Sequence, residues 1–196
     1  MFKKLAAAAL ATASFAASAA STNLVVDGSF EDTAVASGSW TTVWNTDGWA
    51  TGALGLEIRD DVVGTAESGN NFAELDTSGN SSISQTLTGL SGTYLLTFWV
   101  EDREGTDAST NGVTYTINGV TYTVSDAGTA SGWTEISQWF TADGDVTISF
   151  AAAGTSDSLG SSLDNISVTA VPEPASLALM AAGLGLVAVA RRRKAR

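Results

Sequence analysis

Residues 21–170 predict an all-β domain, an antiparallel sandwich of the jelly-roll kind, and three observations carry that expectation. The segment is rich in Thr, Ser, Gly, Val and aromatic residues. Its apolar residues come in short alternating runs, the period of strands half-buried against a core. No stretch repeats its apolar residues at the spacing of a helix. About eight to ten such runs follow one another across short turns, which favours a closed antiparallel sandwich.

The strands can be placed in order. Thr93–Glu101 (TYLLTFWVE) puts Tyr94, Leu96, Phe98 and Val100 on one face and Leu95 and Trp99 on the other. Apolar groups on both faces predict a central strand. Gly112–Val124 repeats VTYT on either side of Asn118-Gly119. Asn-Gly favours the type I′ turn whose twist suits a tight hairpin, so the repeat predicts two paired strands. Val146, Ile148 and Phe150 alternate with Thr147 and Ser149 in a further strand. Ser162–Thr169 (SLDNISVT) closes the domain.

Charge is unevenly placed. The whole chain carries −12, but the segment between the ends holds two arginines, Arg59 and Arg103, against twenty acidic residues, a net charge of −18. Such a domain repels phosphate backbones, which argues against a nucleic-acid partner. There is no Cys and no His. Disulfides, Ser-His-Asp and Cys-His catalysis and the usual zinc sites are therefore excluded. The acidic groups around Arg103 (Glu101, Asp102, Glu104, Asp107) and around Arg59 (Glu57, Asp60, Asp61) are expected to be solvated loops.

The two ends read as addresses. Residues 1–20 carry Lys3 and Lys4, an apolar stretch from Leu5 to Phe15, and Ala17-Ser18-Ala19. This predicts a secretory signal helix cleaved after Ala19 or Ala20. Near the other end, Pro172 and Pro174 are the chain's two prolines, and each pushes its predecessor toward extended backbone. An accessible extended peptide is expected there. Residues 175–190 follow without a charge, then five cations in the last six residues. The uncharged span predicts a short transmembrane helix of about 24 Å. The basic cluster would stay cytoplasmic, leaving the domain on the far side of the membrane.

Pro172-Glu173-Pro174, an apolar span and a basic cluster together resemble the PEP-CTERM sorting signal of Gram-negative bacteria. The resemblance implies a tail of residues 171–196 recognised at Pro172, Glu173 and Pro174 by an exosortase-type processing enzyme. It implies export across the inner membrane, transient anchoring, and a final place at the cell surface or in an extracellular polysaccharide matrix.

The domain also carries Asn23–Glu31 (NLVVDGSFE), Asp47-Gly48-Trp49, Gly69–Asp76 (GNNFAELD), Ser82–Leu87 (SISQTL) and Leu163–Val168 (LDNISV) in order. This set resembles galactose-binding-like jelly rolls, the DUF642-like branch and related carbohydrate-binding modules. The resemblance implies an opening strand at Asn23–Glu31 and a core position for Trp49. It further implies a structural calcium joining the first strand to the last through Glu31 and Asp164. Sugar rings stack their C–H faces on aromatic planes, and Trp44, Trp99 and Arg103 are the expected sugar-facing residues. The function expected is a non-enzymatic, carbohydrate-binding surface or matrix protein. A structural or adhesive protein without a specific sugar site and a carboxylate-based glycoside hydrolase stand as alternatives.

Overall fold

Two strands far longer than any other organise the molecule. In the computed structural model, which describes residues 22–124 and 132–172 together with Gly183, β5 runs over Ser82–Glu101 and β8 over Thr134–Ala152. They pair antiparallel along nearly their whole length, from Ser82 against Ala151 to Val100 against Thr134. A straight strand would hold Ile83 and Phe98 roughly 50 Å apart. Yet Phe98 packs edge-to-face on Phe150, the partner of Ile83, with ring centroids 5.0 Å apart. The ribbon is therefore folded back over itself. The bend falls where the register shifts between Leu87 and Leu90. Gly89 (φ 68°) and Gly144 (φ 119°) lie there in backbone conformations that side chains resist.

Folding the ribbon makes two layers. The first half of β5 and the second half of β8 are joined by β2 (Ala50–Thr51), β6 (Val113–Ile117) and β7 (Val120–Val124). The other halves are joined by β9 (Ser162–Ala170), then β4 (Asn71–Glu74), β3 (Leu56–Asp60) and β1 (Ser39–Val43). All these pairings are antiparallel, and one short 3₁₀ turn, Ala108–Thr110, is the helical element among the described residues from 22 to 172. Phe30, Trp49, Leu56, Ile58, Leu96, Phe98, Ile148, Phe150 and Leu163 fill the space between the layers. Trp49 is 2% exposed, as expected of the core, and its indole N–H donates to the Asp27 carbonyl at 3.0 Å.

The Asn-Gly hairpin is present, with Asn118 (φ 48°) and Gly119 (φ 82°) both in the left-handed region that a type I′ turn requires. The opening segment departs from the expected strand. Asp27 (φ 50°) and Phe30 (φ 59°) break its extended path, so Asn23–Glu31 is irregular. It still lies along β9: Leu24 N–H donates to Val168 O and Ile166 N–H donates to Gly28 O, both at 2.9 Å. Residues 21–171 form one compact unit. The signal helix over 1–20 and the transmembrane helix over about 175–190 lie outside the described residues. Among those residues, no helix is long and apolar enough to cross a membrane.

Candidate functional site

The outer face of the second layer is where the exposed aromatic side chains can be placed from the register. Tyr94, Leu96, Phe98 and Val100 point into the core, so Leu95, Thr97 and Trp99 point outward. Their partners on β8 are Trp139, Ser137 and Glu135 in that order. Leu95 and Thr97 meet Thr169 and Ser167 of β9 on the other side. The result is a face with Trp139 at one end, Trp99 at the other, and hydroxyl side chains between. Trp139 is 56% exposed and Trp99 is partly exposed. Their positions lie roughly 13 Å apart along the strands. Sequence reading missed Trp139. In TEISQWFTA the polar Gln138 occupies an inward position, which blurs the alternation that would have turned Trp139 outward.

Trp44 is also exposed, at 57%, with its indole N–H on the Ala53 carbonyl. It does not join Trp99. It follows β1, and the sheet order sets β1 four strand spacings, about 19 Å, from β5.

Arg103 is a correction. The sequence points to a sugar-facing cation, but its side chain is 15% exposed and turned inward onto Glu74 at 3.1 Å. It also donates to the Ser158 carbonyl at 3.3 Å. Glu74 is fully buried and binds Arg59 as well, while Arg59 donates to Glu57 at 2.6 Å. The Gly160 N–H completes the shell of Glu74 at 2.8 Å. Burial lifts the Glu74 carboxyl above the usual carboxylate range, against the pull of the Arg59 and Arg103 guanidiniums. The expected solvated loop around Arg59 is thus a buried strand, β3, whose five residues are all covered. A buried charge is tolerable when its partner is buried with it, and both arginines of the unit have found one.

Glu31 and Asp164 do converge, though on a loop. Glu31 Oε1 accepts the N–H groups of Asn70 and Asn71, both at 2.8 Å. Asp164 Oδ2 accepts those of Glu67 and Ser68 at 2.8 and 2.9 Å, and Oδ1 accepts Asn165 N–H at 2.6 Å. The Asn71 side-chain amide donates to the carbonyls of Phe30 and Thr33. Oxygens aimed at N–H donors are poorly set to take a cation, which wants six to eight oxygen ligands. Among the described residues no group of three or more acidic side chains could hold a metal. The set does not fit the expected calcium: backbone N–H groups and one amide tie the loop to both ends of the unit. Adding excess chelator is therefore expected to leave the melting midpoint of the protein unchanged, as read by differential scanning fluorimetry. A fall of several degrees would contradict this.

Desolvation lifts the buried Asp164 carboxyl to about 7, against the three N–H groups that favour its ionised form. Burial likewise raises Asp27 to about 6. Of the sorting residues, Pro172 is exposed, while Glu173 and Pro174 lie outside the described residues. The last ladder hydrogen bond runs from Val171 N–H to Thr93 O at 2.9 Å. Pro172 has no N–H with which to continue it.

Among solved structures, the chain is similar to TmCBM61 in complex with β-1,4-galactotriose, at 17% identity and a TM-score of 0.45 over 75% of this chain and 97% of that one. It is similar to the CBM22-1 xylan-binding domain from Paenibacillus barcinonensis Xyn10C, at 13% identity and a TM-score of 0.41 over 72% and 100%. It is also similar to an exo-β-1,3-galactanase from Phanerochaete chrysosporium, at 20% identity and a TM-score of 0.42 over 69% of this chain. It spans 30% of that enzyme's length. No curated protein matches the chain. Residues 170–194 match the PEP-CTERM protein-sorting motif, so the chain carries at its C-terminal end the sorting signal of an exported protein.

Proposed function

We propose that this is a non-enzymatic, carbohydrate-binding protein of the bacterial surface or extracellular matrix, and that its glycan lies across the outer face holding Trp99 and Trp139. The observation that carries this reading is the placement of those two indoles on one sheet face with Thr97, Ser137, Ser167 and Thr169 between them. Flat indoles offer stacking surface for sugar C–H faces, and neighbouring hydroxyls can exchange hydrogen bonds with sugar hydroxyls. The long hairpin folded over itself is read as the frame of a jelly roll. The engaged carboxylates favour binding over turnover: buried Glu74 is held by two arginines, and exposed Glu31 and buried Asp76 and Asp164 accept backbone N–H groups.

The glycan is a neutral one. Both arginines between residues 21 and 171 are engaged with Glu57 and Glu74, and the unit is strongly anionic. A uronate polymer would meet like charge and no free guanidinium. Delivery follows the sorting motif: the exported chain is held through its C-terminal segment and processed near Pro172 by an exosortase-type enzyme of a Gram-negative inner membrane.

The test is affinity electrophoresis and a glycan array with the 21–171 segment. Neutral polysaccharides are expected to retard it. Trp139→Ala and Trp99→Ala are each expected to weaken binding about tenfold, the loss of one stacked ring. Failure to bind any glycan, or full binding by the double variant, would overturn the assignment.

A further inference from the structure

The geometry points to β7 as a self-association edge, on which Val120–Val124 pairs antiparallel with β7 of a second copy of this chain. β7 ends its layer, bonded to β6 on one side and to no other described strand. Such an edge presents unpaired N–H and C=O groups, which proteins commonly guard with charge or proline. Neither guard stands in β7 itself. Residues 108–125 contain neither a charged residue nor a proline, within a unit of net charge −18. Like charges that would hold two copies apart elsewhere are absent from this edge.

The sequence of β7, Val-Thr-Tyr-Thr-Val, reads the same in both directions. Antiparallel pairing about a two-fold axis therefore sets Tyr122 against Tyr122 of the second copy, Thr121 against its Thr123, and Val120 against its Val124. The molecule already sets the same side chains opposite one another once, in the other hydrogen-bonding phase. β6 reads Val-Thr-Tyr-Thr-Ile and faces β7 with Tyr115 on Tyr122 and Thr116 on Thr121. The two tyrosine rings stack with centroids 5.0 Å apart, and the two threonine hydroxyls are hydrogen-bonded at 2.9 Å.

Backbone parity agrees. The two-residue turn makes Ile117 and Val120 a hydrogen-bonded pair. Alternation then points the N–H and C=O groups of Val120, Tyr122 and Val124 toward β6 and those of Thr121 and Thr123 outward. Pairing centred on Tyr122 joins those outward groups to one another. It also covers Val120, 56% exposed on the core side of the hairpin, and extends the partly buried Tyr122 and Val124. An isologous contact of this kind closes at two copies.

The chain has no cysteine, so one can be introduced as a reporter. Opposed residues of a non-hydrogen-bonded pair have Cα atoms about 4.5 Å apart, within disulfide reach. With the full chain in mild detergent and gentle oxidant, Tyr122→Cys is expected to give a linked dimer. Val120→Cys faces residue 124 of the copy and is expected to link about tenfold more slowly. Thr123→Pro removes an outward N–H without touching the bonds to β6. It is expected to raise the dimer dissociation constant at least about tenfold by sedimentation equilibrium, with circular dichroism unchanged. Added salt should favour the dimer by screening the two anionic bodies. Wild-type chain that stays monomeric at millimolar concentration, equal linking at 120 and 122, or a Thr123→Pro dimer as tight as wild type overturns the proposal.

Discussion

Glu74→Ala is expected to lower the thermal midpoint by about 10 °C, corresponding to roughly 3–5 kcal/mol. Glu74 has no exposed surface and binds both arginines of the unit. Truncating it leaves two guanidiniums in a covered site without their shared anion, and an unpaired buried charge costs far more than an intact pair contributes. The loss reaches across the fold: Arg59 belongs to β3, Arg103 follows β5, and the Gly160 N–H that Glu74 accepts belongs to the loop before β9. Replacing the whole cluster, Glu57→Leu and Arg59→Met with Glu74→Leu and Arg103→Met, should restore a good part of the loss, because apolar groups of similar size can replace buried pairs when no charged partner is left behind. A fourfold variant as unstable as Glu74→Ala, or a single variant within a degree or two of wild type, would show that the cluster does not hold these segments together. Thermal melts of the three proteins at one pH decide it.

The same protein is expected to be more stable at pH 5 than at pH 8. Burial holds Asp164 at about 7 and Asp27 at about 6 in the folded state, against a model-peptide value near 3.8. The folded chain therefore binds more protons than the unfolded chain between about pH 4 and pH 7, and stability falls as pH rises through that window. Asp164, fully covered, sets the scale at roughly 2–4 kcal/mol across the whole window. Midpoints measured in steps from pH 4 to pH 8 should decline, and the slope should shrink in Asp164→Asn. A flat profile, or one rising toward pH 8, would mean that the Asp164 carboxyl is ionised throughout.

Local patterns carried the strands well. Alternation in TYLLTFWVE placed Tyr94, Leu96, Phe98 and Val100 inward, and the Asn118-Gly119 pair fixed the hairpin, because both signals act within a few residues. What escaped was non-local. Nothing near Arg59 shows that its anion is Glu74, brought alongside by the pairing of β3 with β4, or that Arg103 joins them from a distant loop. Read one segment at a time, LEIRD looks solvated. Paired with its neighbours, it is buried. Arg103 was misread for the same reason. Glu31 and Asp164 both reach the segment 67–71, but their partners there are backbone N–H groups, and backbone donors leave no trace in side-chain identity. The alternation of its strand set Trp99 opposite Phe98, whereas the outward turn of Trp139 waited for the register.

Ending the ladder at Val171, immediately before Pro172, has a mechanical consequence. β9 is paired with β4 and β5, and its hydrogen bonds lie across its own axis. A load directed along the axis of β9 through residue 172 would shear those bonds together rather than peel them one by one. Val171, the residue before Pro172, is itself tied to Thr93. On the proposed anchoring and processing, a pull by flow or by a bound polymer would thus meet the chain at a strand paired with β5 almost to its end, and a cut beyond that point would leave the pairing intact.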